Sequence, residues 1–337
     1  MVFIWILVFI ASLALTVKSA DWLLEKSEKI GLALGISPFI VGVTIVAAGT
    51  SFPELISGFM AVWQGATEIV VANAIGSNIA NILLVIGVSA VVARKIVVTK
   101  NLIDLDLPLL AISTGLALIV LWDRQVTMAE GIVLLVTYFI YLAYTMIHNE
   151  SEDAAIKDTG DLPDIIPAVE SKAKKKKDNA KKVGGKRPKI NGMDLLMLAL
   201  GIVGLFIGSK LMIDSVIALS ALFNINPGLI AITAVALGTS LPELLVSVKA
   251  AMQGKAEIAI GNIFGSNVFN LLVVIGFPAI FKTLQVDDKT FLIGIPVVVI
   301  ATLVFTISGI SRRIHIWEGL MYLILYLLFI VKLFGIF

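Results

Sequence analysis

Stretches of about 20 mostly apolar residues follow one another through almost the whole chain, the length a helix needs to cross a hydrocarbon core of roughly 30 Å. Ten such runs are read, at about 2–20, 37–63, 69–92, 104–121, 127–147, 193–220, 227–252, 257–281, 290–309 and 316–336. They do not alternate in hydrophobicity as barrel strands do, so helices are expected. Only 15% of the residues are charged, against about a quarter in a soluble domain, which excludes a water-covered surface. The expected fold is an all-α membrane protein with ten transmembrane helices. The segment VFIWILVFIASLALTV lacks a basic leader and has a counterpart in the second half, so it reads as a first span and not a signal peptide.

Cysteine is absent, which excludes disulfides and thiol chemistry. The two histidines, His148 and His315, fall at span ends, so no histidine relay crosses the membrane. Nothing points to an enzyme, a cofactor, nucleic acid or an obligate protein partner. With the N-terminus outside, the internal loops carry Lys18, Lys26, Lys29, Arg94, Lys95, Lys100, Lys249, Lys255, Arg312 and Arg313, and the external ones Arg124, Lys282 and Lys289. Eleven further basic residues lie between Lys157 and Lys189. The positive-inside rule therefore places both termini outside and the long loop in the cytoplasm.

Residues 49–87 read GTSFPELISGFMAVWQGATEIVVANAIGSNIANILLVIG, and residues 238–276 read GTSLPELLVSVKAAMQGKAEIAIGNIFGSNVFNLLVVIG. At an offset of 189 without gaps, 20 of 39 positions are identical, which marks a duplication. The chain divides into a first five-helix repeat (1–147), a polar and basic loop (148–192) and a second five-helix repeat (193–337). Five is odd, so the copies enter the membrane from opposite sides. Inverted repeats of this kind build secondary transporters with a midplane site where the repeats meet.

Glu54 and Glu243 lie about 17 residues into their runs. A carboxylate at the bilayer centre costs about 2.5–3.5 kcal/mol even on the gentler scales, and it reads as functional. No intramembrane basic residue is spaced to serve both copies; Lys210 has Asp21 at its repeat position, at best a pair near a span end. A metal cation is the natural partner, the alternative being protonated acids that pack helices. Each acid follows Thr-Ser-x-Pro: Thr50, Ser51 and Pro53, then Thr239, Ser240 and Pro242. Proline releases a backbone carbonyl from the helix ladder, and carbonyl and hydroxyl oxygens suit hard cations.

The next run supplies Asn73, Gly76, Ser77, Asn78 and Asn81, repeated as Asn262, Gly265, Ser266, Asn267 and Asn270. Ser77 and Asn81 share a helix face, as do Ser266 and Asn270. Oxygen ligands without sulfur or imidazole favour calcium or sodium over zinc or copper. Asn73, Asn78 and their mates are expected to hold helices together by hydrogen bonds.

GTSxPE followed by GNxxGSN, written twice on inverted halves, resembles the calcium/cation antiporter superfamily and, within it, the sodium/calcium exchangers of prokaryotic type. The resemblance covers the ten runs but not the polar loop. It implies a plasma-membrane antiporter with one calcium position flanked by sodium positions, exchanging three sodium ions for one calcium. It implies ligands from the Ala47 carbonyl, Thr50, Ser51, Glu54, Ser77 and Asn81, and from the Ala236 carbonyl, Thr239, Ser240, Glu243, Ser266 and Asn270. Asn270 matches the potassium-independent animal exchangers; some prokaryotic members and the potassium-dependent exchangers carry Asp there. The acid of the GNxxE-type motif of proton/calcium relatives is missing. Two carboxylates neutralise one Ca²⁺ or two Na⁺, so the ions compete for shared ligands. Proton/calcium antiport and a calcium-permeable channel are the rival readings.

The first and sixth runs lie outside the doubled motif and are candidates for a moving element, the sixth with a small Gly204-x-x-x-Gly208 face. The loop is acidic first and then basic over Lys172–Lys182, without EF-hand spacing. It reads as a solvated tether, and its lysines also suit anionic lipid at about 1 kcal/mol per residue.

Overall fold

The computed structural model describes residues 2–33, 47–97, 107–158, 190–252, 256–311 and 313–335. Among the described residues, eight helices are long and apolar enough to cross a membrane: α1 (Val2–Ala33), α3 (Glu68–Ala93), α5 (Met128–Asp158), α6 (Gly192–Phe223), α7 (Pro227–Met252), α8 (Ala259–Ala279), α9 (Thr290–Ile310) and α10 (Ile316–Phe334). Two shorter apolar helices, α2 (Phe52–Trp63) and α4 (Leu107–Val120), fall within the runs expected at 37–63 and 104–121. The leading parts of those runs, 37–46 and 104–106, lie outside the described residues, as does 159–189 with the Lys172–Lys182 run.

α5 continues to Asp158, past the expected end at 147, because the sequence runs on through helix-compatible Glu, Ala and Lys before Gly160 and Pro163. Four short strands depart from the all-α expectation: β1 (Lys95–Val97), β2 (Gln125–Val126), β3 (Leu284–Gln285) and β4 (Arg313–His315). Two or three residues are too few to leave a period-2 signal.

The ribbons carry the duplication into space. β1 pairs with β4, placing Ile96 opposite Ile314, and β2 pairs with β3, placing Val126 opposite Leu284. After a one-residue slip the copies run 188 apart, so Ile96 corresponds to Leu284 and Val126 to Ile314, and all four are buried. Each ribbon joins loops that the charge rule assigns to the same side: 94–97 with 313–315, and 124–126 with 282–285. The helices that follow start alike. Glu130 accepts the Thr127 N–H at 2.8 Å, and Glu318 accepts the His315 N–H at 2.7 Å.

α3 and α8 form the centre: 78% and 94% of their residues are buried, against 17% for the first span. α1 packs along α6 in antiparallel register. Gly204 lies against Ser19 and Gly208 against Ser12 and Thr16, because any side chain there would meet those groups. At the end of this pair Lys29 bridges Asp194 at 2.7 Å. Lys210 bonds Asp214 on its own helix at 2.8 Å, in place of the pairing its repeat position with Asp21 suggested.

Candidate cation-binding site

Both acid-bearing segments are broken at the same place. A turn at Ala47–Thr50 ends at Ser51, whose backbone (φ −91°, ψ 7°) leaves the helical region before α2 restarts at Phe52. Within α7 the turn Ala236–Thr239 ends likewise at Ser240 (φ −81°, ψ 5°). Proline two residues later, at Pro53 and Pro242, suits the first turn of a new helix, where its missing N–H is harmless. Ser51 occupies the position of a capping residue but does not cap its own helix. Its hydroxyl is free to reach across the molecule.

It donates to Glu243 Oε1 at 3.0 Å, and Ser240 donates to Glu54 Oε1 at 3.4 Å. Ser77 of α3 donates to Glu54 Oε1 at 3.3 Å, and Ser266 of α8 to Glu243 Oε1 at 3.4 Å. Each acid thus receives one hydroxyl from its own half and one from the other. All six of these residues are buried. The second oxygen of each acid, Oε2, is buried with no hydrogen-bond partner among the described residues. No ion pair among the described residues involves either glutamate.

Of the other expected residues, Thr50 and the Ala236 carbonyl touch this cluster directly. Thr50 donates to Asn262 Oδ1 at 3.3 Å and stands 3.3 Å from the Ser266 hydroxyl. The Ala236 carbonyl accepts from Ser77 at 3.4 Å while still accepting the Ser240 N–H at 3.1 Å. The Thr239 hydroxyl donates to the Val235 carbonyl of its own helix at 3.1 Å. Ala47 begins the turn that carries Thr50. Asn81 and Asn270 are fully buried, and both amide atoms of each lack a partner. They lie in π-helical stretches, Ala80–Val85 and Asn270–Val274, a local widening that recurs at functional sites. A buried amide without partners is destabilising by about 1–3 kcal/mol per group, so these atoms call for a ligand.

Asn73 and Asn262 take the packing role expected of them, donating to Ser57 at 3.4 Å and to Ser247 at 3.2 Å on the neighbouring acid-bearing helices. Asn78 bonds the Asn267 carbonyl across the halves at 3.1 Å. Asn267 instead donates to the Ile263 carbonyl of its own helix at 2.7 Å. Ser57 and Ser247 were not singled out from sequence, because they are one position out of register in the duplication and share no motif.

The site is therefore a buried oxygen cluster with two carboxylates and, among the described residues, no cationic side chain paired with them, in a bundle of membrane-length helices. The sodium/calcium exchanger protein family profile matches residues 4–147 and 193–335. Over 318 residues the chain is 33% identical to the putative antiporter CaxA of Alkalimonas amylolytica, covering 92% of each chain. It is 30% identical over 360 residues to the sodium/calcium exchanger MaX1 of Methanosarcina acetivorans, covering 98% of each. Among solved structures, the sodium-calcium exchanger NCX_Mj soaked with 2.5 mM Na⁺ and 0.1 mM Sr²⁺ aligns with a TM-score of 0.65 at 29% identity, covering 98% of this chain and 99% of that one. These features define a membrane ion transporter. The chain belongs to the sodium/calcium exchanger family.

Proposed function

We propose that this protein exchanges sodium for calcium by alternating access, three Na⁺ for one Ca²⁺, through ten spans arranged as two inverted five-helix repeats. The observation that carries the reading is the pair of buried carboxylate oxygens without a partner among the described residues, Glu54 Oε2 and Glu243 Oε2, with the equally unpartnered amides of Asn81 and Asn270 in stretches that pack against the acid-bearing helices. Buried charge without a partner is strongly destabilising, and a hard divalent cation among oxygen ligands relieves both charges at once. The ligand set is the Ala47 and Ala236 carbonyls with Thr50, Ser51, Glu54, Ser77, Asn81, Thr239, Ser240, Glu243, Ser266 and Asn270. Two Na⁺ neutralise the same two carboxylates, so either cargo displaces the other. The crossed bonds Ser51–Glu243 and Ser240–Glu54 support a site shared by both halves, as alternating access about a repeat interface requires. The protein resides in the plasma membrane of a prokaryote with both termini outside and residues 148–192 in the cytoplasm.

The test is ⁴⁵Ca²⁺ uptake into sealed liposomes loaded with sodium, compared with liposomes holding only a proton or a potassium gradient. Uptake that requires sodium is expected. Uptake driven by protons alone would reassign the coupling ion, and uptake without any counter-gradient would indicate a channel.

A further inference from the structure

A second polar feature lies outside the acid cluster, on the flank where α2 meets α6. A crevice of about 560 Å³ opens between them, walled by Phe59 and Trp63 of α2, by Gln64 just after it, and by Phe206, Lys210 and Asp214 of α6. The three α6 residues are spaced by four, so they form one stripe that changes from aromatic to cationic to anionic along the axis. Lys210 and Asp214 share the crevice with Trp63 and Gln64 and so lie level with them along the bundle. α2 also ends there, at Trp63, whose ring is 79% exposed as in an interfacial aromatic belt.

From the geometry we infer that this crevice binds the zwitterionic headgroup of an ethanolamine phospholipid. Such a lipid presents, from the bilayer outward, acyl chain, phosphate and ammonium. The stripe presents Phe206, then Lys210, then Asp214 in that order. The Lys210–Asp214 bond of 2.8 Å uses one ammonium N–H and Asp214 Oδ2, leaving two N–H donors and Oδ1 beside each other for an opposed phosphate–ammonium dipole. Side-chain exposures of 52% and 27% keep both groups accessible. The Gln64 side-chain nitrogen, shielded in the wall without a partner, adds a donor for phosphate oxygen. Ethanolamine offers N–H donors that choline lacks, and glycerol headgroups carry no cation to meet Asp214.

The experiment is native mass spectrometry of the purified full-length protein in detergent with equimolar phosphatidylethanolamine, phosphatidylglycerol and phosphatidylcholine. Ethanolamine-lipid adducts are expected to exceed each of the others at least fivefold. Asp214→Asn should erase the preference while keeping phosphatidylglycerol binding, and Lys210→Met should weaken all three. A phosphatidylglycerol preference in the wild type, or unchanged selectivity in Asp214→Asn, would overturn the inference. A measurement that needs no change to the ion pair is quenching of Trp63 by brominated lipid in nanodiscs, read as the difference between wild type and Trp63→Phe. Stronger quenching by the ethanolamine lipid than by the choline lipid supports the site, and equal quenching refutes it.

Discussion

Ser51 stands three residues before Glu54, yet its hydroxyl goes to Glu243, 3.0 Å away in the other half of the chain. Ser240, three residues before Glu243, returns the bond to Glu54 at 3.4 Å. The helix breaks at each serine, and the hydroxyl leaves its own segment for the acid of the other half. Neither acid can therefore be moved without disturbing a residue adjacent to the other.

Replacing either acid should remove transport. Glu54→Gln or Glu243→Gln keeps shape but leaves a divalent ion facing one negative charge, an imbalance of about 3–5 kcal/mol in a buried setting. A fall in sodium-dependent calcium uptake of at least about 100-fold is expected, with unchanged helical circular dichroism and monodisperse elution. Wild-type rates in both variants would remove these residues from the site.

The crossed serines should have smaller effects. Ser51→Ala deletes one neutral donor to a carboxylate, an interaction of about 1.5–3 kcal/mol. Calcium affinity in equilibrium binding should drop about tenfold or somewhat more, less than for the glutamate variants. The longer contact from Ser240 predicts a milder loss in Ser240→Ala. A Ser51→Ala protein that binds calcium as wild type does would mean that this hydroxyl only joins the two halves.

Packing around the site gives a stability test. A methyl group added at Gly76 would collide with the Ile232 carbonyl and lie 2.7 Å from the Ala236 side chain, in the backbone that supplies the Ala236 carbonyl. Gly76→Ala should destabilise the protein by about 1–3 kcal/mol through overpacking and reduce transport. Gly261 has open space around it, so Gly261→Ala should be neutral or slightly stabilising. Thermal unfolding in detergent compares the two, and equal midpoints would contradict the tight α3–α7 contact.

Much of this arrangement was legible in the sequence because the duplication fixes which residues are equivalent. The doubled Thr-Ser-x-Pro-Glu identified the acids and the serines beside them. It did not reveal that each serine serves the opposite acid, since chain crossing is a tertiary property with no local signal. Spacing by four placed Ser77 with Asn81, as an α-helix would. The π-helical widening at Asn81 and Asn270 was hidden, because Ala-Asn-Ile-Leu-Leu-Val and Asn-Leu-Leu-Val-Val read as ordinary helix. The interfacial pair of Lys210 with Asp214 was missed because Asp21 offered a symmetric partner, whereas four residues along one helix is the shorter route.

The Asn270 position bears on the number of charges moved. An amide adds no charge, so in the proposed exchange the cations meet at most two negative charges, those of Glu54 and Glu243. Exchange of three Na⁺ for one Ca²⁺ then transfers one positive charge per cycle, worth about 2.3 kcal/mol per 100 mV. Calcium flux in liposomes clamped at two voltages should differ accordingly, up to about 50-fold per 100 mV if charge movement limits the rate. Asn270→Asp adds a carboxylate to a residue whose amide atoms have no protein partner, so it should attract a further monovalent cation. Sodium or potassium dependence should steepen in that variant, and the voltage response should change with it. Voltage-independent flux in the wild type, or dependence on potassium before the substitution, would refute the three-for-one stoichiometry while leaving the two glutamates as the shared site.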